Sequence, residues 1–345
     1  MRRFFSCLLG ALVASAVSVR AAEVDPLLPK ETEQVYQINV KQIVDSDVFK
    51  KNFLGRIQKA MGRDEVKKQF ELFGVDPLKD LERVTVGISG KGSTDIKVVA
   101  ILRGKFNAEK LFEGVQEHAT RTPDRVTFED VEEGGEKWKL VKVVADTDKP
   151  FYVSVANATT LVVGMDNKQV VAALTAAKKN ERPKLNKELT ALVLKQDDKA
   201  SLYYCSVVEG RMELDKIPEG AFDPLKSFGI DGDVLKKQLG TMSTIAFTVR
   251  LGKEVGVSVT AGMKDEDSAE EFGGQSSTLS KLIDTGKTFL PLAAGQQPKM
   301  KLLIDDLVKT TVTKVKGKDV NVTLTVTAAS IESAFKEDEG SADRR

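Results

Sequence analysis

Phe73-Gly74-Val75-Asp76 and, 155 residues later, Phe228-Gly229-Ile230-Asp231 are the two stretches on which the reading of the fold turns. A β-rich strand pair follows each of them, then a glycine (Gly104 or Gly262), then a helix capped by Asn107 or Asp265. From the Phe to that Gly is 31 residues in the first case and 34 in the second. A period this long lies well outside the roughly 20 to 50 residues of solenoid repeats. It implies an internal duplication, a β-α-β-β-α-β-β unit used twice.

Outward from the first turn, Val35 to Val40 reads as a strand, preceded by an extended leader with Pro26 and Pro29. Val48, Phe49, Phe53, Leu54 and Ile57, then Val66, Phe70 and Phe73, have helical spacing. Val84 to Ser89 and Ile96 to Leu102 form the strand pair, with Gly90 to Asp95 as the hairpin loop. Val84, Val86 and Ile88 alternate with Thr85, Gly87 and Ser89, so the apolar row is expected on a dry face and the polar row on a wetter one. Four strands follow (Val126 to Val131, Trp138 to Val144, Phe151 to Val155, Thr160 to Gly164), then a helix from Asn167. In the second half Leu202 to Val208 is a strand, Val234, Leu235 and Leu239 mark a helix, and Thr244 to Leu251 pairs with Val255 to Ala261. A helix from Asp265 continues through Leu279, Leu282 and Ile283. A hairpin of Leu307 to Val315 and Val320 to Thr327 and a helix near Ser330 close the pattern. Short polar turns between adjacent strands favour antiparallel pairing. The expected fold class is α+β: two duplicated lobes of mainly antiparallel sheet with helices packed on one face. The lobes are expected at 22–182 and 199–335, joined by a charged crossover segment at 183–198, in which Leu189, Leu192 and Leu194 suggest a short helix, and followed by a disordered tail at 336–345. Lobes sharing one sheet would each lose an open edge.

The ends and the composition bound the setting. Met1-Arg2-Arg3, an apolar run from Phe4 to Val19 and Val19-Arg20-Ala21 before Ala22 describe a signal peptide at 1–21, cut before Ala22. A 16-residue run is short for a membrane span, which needs about 20. The chain is thus expected to be exported and periplasmic or extracellular, with no membrane span in the mature protein. Arg2-Arg3-Phe4-Phe5 also resembles part of a twin-arginine motif, without its preceding Ser or Thr. The whole chain holds 52 Lys+Arg and 51 Asp+Glu; without Arg2, Arg3 and Arg20 the balance is 49 against 51. A near-neutral chain lacks the basic excess of a nucleic-acid binder. Loss of Cys7 leaves Cys205 as the single cysteine, so no internal disulfide can form, and Cys205 reads as a small buried residue on a strand.

Catalytic motifs fail one by one. His118 is the single histidine, placed where a helix C-terminus favours its cation, and histidine-rich zinc sites are excluded by number. Asp231-Gly232-Asp233 is too short for a calcium loop and reads as a turn and helix cap. Gly90-Lys91-Gly92-Ser93-Thr94 lacks the first Gly of a phosphate loop and leads into a strand. Leu282-Ile283-Asp284-Thr285-Gly286 echoes aspartic proteases, but it has helical spacing and no second copy, and reads as a helix end with Gly286 as its cap. Gly87-Ile88-Ser89-Gly90-Lys91 misses the last glycine of a nucleophile elbow. Asn157-Ala158-Thr159 and Asn321-Val322-Thr323 match the glycosylation triplet. No catalytic, cofactor-binding or metal-binding residue is therefore assigned, and no cofactor.

Leu28-Pro29-Lys30-Glu31, the Phe-Gly-x-Asp turn and Leu102-Arg103-Gly104-Lys105-Phe106-Asn107 together resemble exported proteins of unknown function from planctomycete-type bacteria. The resemblance implies an envelope or extracellular location and brings no catalytic residues with it. The expected function is non-enzymatic: binding of a protein or envelope component, or structural support. Two alternatives stay open. One is an extracytoplasmic hydrolase with an unrecognised carboxylate site. The other is a carrier of an apolar ligand, which would need an apolar cavity between sheet and helices.

Overall fold

The structure, a computed structural model, describes residues 21–90, 95–133, 135–144, 149–181, 185–211, 214–218, 220–294 and 300–335. The expected signal peptide (except Ala21), the first residues of the crossover and the tail lie outside them. The first half runs β1 (Gln34–Ile38), α1 (Val40–Asp45), α2 (Asp47–Asn52), α3 (Leu54–Met61), α4 (Asp64–Phe73), β2 (Leu81–Ser89), β3 (Lys97–Gly104), α5 (Ala108–Arg121), β4 (Val126–Glu133), β5 (Glu136–Val144), β6 (Pro150–Asn157), β7 (Thr160–Gly164) and α6 (Asn167–Lys179). After α7 (Lys187–Leu194) come β8 (Leu202–Val207), α8 (Asp223–Lys226), α9 (Gly232–Leu239), β9 (Met242–Leu251), β10 (Val255–Met263), α10 (Glu266–Gly273), α11 (Thr278–Ala294), α12 (Lys301–Thr310), β11 (Val312–Lys316), β12 (Asp319–Val326) and α13 (Ala328–Phe335). The fold is α+β, and no helix among the described residues is long and apolar enough to cross a membrane.

All the strands join one 12-stranded sheet, ordered β11-β12-β10-β9-β8-β1-β2-β3-β7-β6-β5-β4. Every pairing is antiparallel. From the β1–β8 seam the order outward is β1-β2-β3-β7-β6 on one side and β8-β9-β10-β12-β11 on the other. On each side the last strand of its half returns to pair with the second strand of the hairpin. The cross-strand rows correspond: Tyr36–Val86–Ala100–Val163–Val153 on one side, Tyr204–Phe247–Val259–Val322–Thr313 on the other. The β5–β4 hairpin extends the first half alone. The two outer edges carry charge, Glu129, Asp130, Glu132 and Glu133 on β4 and Lys314 and Lys316 on β11, which discourages further strand addition.

The matched turns share local geometry. Gly74 and Gly229 both take left-handed backbone, φ 61° and 71°, a conformation glycine adopts without a Cβ clash. The amides of Val75 and Ile230 each reach back five residues, to the carbonyls of Phe70 and Leu225, closing the preceding helix. Asp76 and Asp231 each accept from the amide two residues on, Leu78 at 3.0 Å and Asp233 at 2.9 Å. The halves then diverge: Asp76 leads into β2 through a plain turn, whereas Asp231 caps α9 before β9.

Helices cover both faces of the sheet, not one as expected. Val35, Cys205 and Ala246 form one cross-strand row, buried in a core with Val171 and Leu174 of α6 and Leu189 and Val193 of α7. The alternate row Ile245–Ala261–Val320 faces the other way, against Ala269 and Phe272 of α10. Phe112 of α5 meets Phe128 of β4 at 5.3 Å on that second side. The expected wet and dry rows of β2 are inverted. Thr85 and Ser89 are buried, while Val84, Val86 and Ile88 are half-exposed. The cause is long-range packing. The leader brings Leu27 and Leu28 onto the polar row, and a Cβ at Gly87 would lie 2.7 Å from Leu28 Cδ2.

Two other boundaries shift. Val40 opens α1, with Asn39 as its cap, instead of ending the strand. Leu307 to Thr310 belongs to α12, and the hairpin strand starts at Val312. The short helix expected in the crossover is α7, and it joins the core, with Leu189 and Val193 at zero exposure. Burial of such side chains stabilises by about 1.5–3 kcal/mol each.

Candidate functional site

A cleft of about 670 Å³ opens beside the first Phe-Gly-x-Asp turn. The amphipathic helices α3 and α4 contribute Leu54, Met61 and Phe70, α1 contributes Val44, and the turn adds Val75 and Leu78. None of the α3 side chains is fully buried. Their apolar stripe is spent on this half-open wall, not on the core. The size and the apolar lining are those of a small-molecule site.

Polar groups sit at its rim, and most are already engaged. Asp76 accepts from the Leu78 amide and pairs with Lys79 at 2.8 Å. Burial would raise the Asp76 pKa, but Lys79 and the amides outweigh it and hold the carboxyl below its usual range. Asp80 accepts from the Asp76 amide at 2.7 Å. Glu71 pairs with Lys67 at 3.8 Å. The carboxylates thus tie down a turn and a helix surface instead of sharing a proton or facing a common point. Lys110 differs: its ammonium has no hydrogen-bond or ion-pair partner among the described residues. Its stem lies over Gly74, where a Cβ would come within 2.4 Å of Lys110 Cδ. The missing side chain at Gly74 is what lets the Lys110 stem lie along the cleft wall.

The residues weighed in the sequence do not converge. His118 meets the ring edge of Phe73 at 6.3 Å and has no hydroxyl, thiol or carboxylate partner among the described residues. Cys205 is fully buried, and burial pushes its thiol pKa up to about 12. Asp231 caps α9 as expected. Gly90 accepts from Arg211 through its carbonyl, and the rest of the Gly90–Thr94 loop, 91–94, lies outside the described residues. Asp284 lies inside α11, which runs on to Ala294, so Gly286 is an interior helix residue and not the expected cap. Ser89 is buried against Gln169. Asn157 closes an exposed turn onto Thr159, and Asn321 accepts from Thr260 within the sheet. Among the described residues no group of three or more His, Cys, Asp or Glu could hold a metal.

A buried polar strip under the leader escaped the sequence. Arg103 holds Asp25 through two bonds of 2.8 and 2.9 Å. Arg83 pairs with Asp198 and Arg250 with Asp197, both at 2.9 Å. Tyr203 donates to Gln37 at 3.1 Å. These partners lie up to 166 residues apart, and no local pattern marks them. Their side chains fasten the leader and the α7–β8 connection to the sheet. Comparison with protein families, curated proteins and solved structures finds no match for this chain.

Proposed function

We propose that this chain is a non-enzymatic binding protein, exported and working in the envelope or outside the cell, whose binding element is the apolar cleft between α1, α3, α4 and the Gly74–Asp80 turn. The single observation that carries the reading is an apolar cleft of about 670 Å³ whose carboxylates are bonded to backbone amides and lysines. The carrier alternative gains from this and becomes the preferred form of the binding role. The hydrolase alternative loses ground, since a general acid needs a raised pKa and that of Asp76 is lowered.

Export before Ala22 fits the same picture. Ala22 is fully buried and donates its amide to Gln196 at 2.9 Å, so cutting one residue later would remove a core side chain. The mature N-terminus should be Ala22; mass spectrometry finding intact Met1 on abundant protein would overturn this. The strand order about the β1–β8 seam and the two matched turns support an internal duplication with lobes at 22–182 and 199–335.

Nile red, a neutral solvent-sensitive dye, tests the cleft. It should bind with a blue-shifted emission that Met61→Asp and Phe70→Asp each weaken about tenfold, with unchanged circular dichroism. Binding indifferent to both substitutions would rule out the cleft as the site.

A further inference from the structure

The geometry points to a single-chain amphiphile with an anionic head as the ligand of the cleft, its tail on the helical wall and its head at Lys110. This inference rests on the cleft being the binding element. Four features define the ligand. The wall supplied by Leu54, Met61 and Phe70 is apolar and open to solvent. Every carboxylate on the rim already has a partner: Glu71 with Lys67, Asp76 with Lys79, and Asp80 with the Asp76 amide. The one rim charge without a partner among the described residues is the Lys110 cation. The stem of Lys110 is laid against Gly74, within the lining of the cleft.

The charges facing the site favour an anion over a cation. From α4 come Lys67 and Glu71, from the turn Asp76, Lys79 and Asp80, and from α5 Lys110. The paired charges cancel locally, and exposed pairs such as Lys67–Glu71 bind each other weakly. Three lysines and three carboxylates line the cleft, so the preference rests on Lys110 alone: its ammonium has no partner among the described residues, whereas Glu71, Asp76 and Asp80 each already hold a lysine or an amide. A wholly apolar ligand would leave Lys110 facing a tail with nothing to neutralise. The tail gives affinity through burial, up to about fourfold per methylene. The head gives selectivity.

Isothermal titration with monomeric dodecanoate, dodecanol and dodecyltrimethylammonium, each below micelle formation, reads the two terms apart. Dodecanoate should bind about tenfold more tightly than the trimethylammonium compound. Lys110→Glu, at an exposed helical position, should erase or invert that preference, lowering dodecanoate affinity by far more than dodecanol affinity; Lys110→Arg should retain it. Octanoate should bind far more weakly than dodecanoate. A second arm mixes the protein with phosphatidylcholine vesicles carrying lysophosphatidylglycerol, a single-chain anionic lipid. Lipid carried into the protein fraction assigns the head to a membrane lipid, and dodecanoate binding without such transfer assigns it to a free acid. Equal binding of all three dodecyl compounds, or a preference untouched by Lys110→Glu, overturns the head-group assignment and leaves the cleft standing. Failure of all of them, with no displacement of Nile red, overturns the cleft itself.

Discussion

Tyr36 and Tyr204 are direct cross-strand partners at the seam of the sheet, with ring centroids 4.4 Å apart and planes tilted by 33°. They sit where the two strand sequences β1-β2-β3-β7-β6 and β8-β9-β10-β12-β11 meet. Each ring belongs to a different half, so their contact is one of the few aromatic links between them. A double-mutant cycle with Tyr36→Ala and Tyr204→Ala should give a coupling of about 0.5–1 kcal/mol in urea unfolding. Strict additivity would mean the rings are neighbours without interaction.

Alkaline pH should destabilise the protein in a defined window. Burial, then the neighbouring Tyr204, raises the Tyr36 phenol pKa. Burial raises Tyr203 strongly, and burial with Glu129 and Asp166 raises Tyr152. Burial also lifts Cys205 from 9.0 to about 12. A group whose pKa is raised by folding keeps its proton in the native state where the unfolded chain releases it. Its contribution is full below pH 9 and is lost as pH climbs from 9 toward 12, by about 1.4 kcal/mol per pH unit for the thiol. Cys205→Ala should flatten the fall between pH 9 and 10. Of the four tyrosines, three should ionise late in ultraviolet titration of native protein; native and urea-unfolded curves that coincide would contradict this.

Arg103→Met should destabilise the chain by about 2–3 kcal/mol, because it strands the buried Asp25 carboxylate with only the Leu27 amide as partner. The lower end of the usual range applies, since the arginine is one-third open to water. Adding Asp25→Asn should recover part of the loss. Limited proteolysis should cut the leader between 22 and 32 faster in the single variant. A loss below about 0.5 kcal/mol would show the pair to be a surface contact in effect.

What was legible in the sequence was local chemistry. Gly74 and Gly229 require left-handed backbone and Asp231 caps a helix, and both facts depend only on neighbours within five residues. The choice of face was not legible. Thr85, Gly87 and Ser89 look solvated on β2 but are buried, with Leu28 against Gly87 and Gln169 against Ser89, 59 and 80 residues away. The Leu307 stretch misled for a similar reason. Its short apolar-polar pattern fits a strand, but Asp306 accepts from the Thr327 amide and hydroxyl and from Ser330, which fixes α12 against α13. The cleft could not be read at all, because it exists through the angle at which α3 and α4 meet. Asp76 is legible through its turn, whereas no local pattern marks Lys110.

The proposed two-lobe organisation predicts that the chain can be split. Cutting between 198 and 199 keeps α7 with the first half, where Leu189 and Val193 lie in the same core as Tyr203 and Cys205 of the second. Each piece would then expose one long edge, β1 or β8, whose partner registers span five residues. Neither piece alone should be fully stable, because an exposed apolar edge strand invites aggregation. Co-expressed, 22–198 and 199–335 should form a 1:1 complex with the circular dichroism of the intact protein. If each half has its own strand order and hairpin, reassociation requires the seam, the α7 core and the α2–α13 cluster of Val48, Val326 and Ile331 to form. A pair that never associates, with both pieces insoluble under every co-expression condition, would show that the sheet folds as one indivisible unit and that the lobe boundaries are wrong.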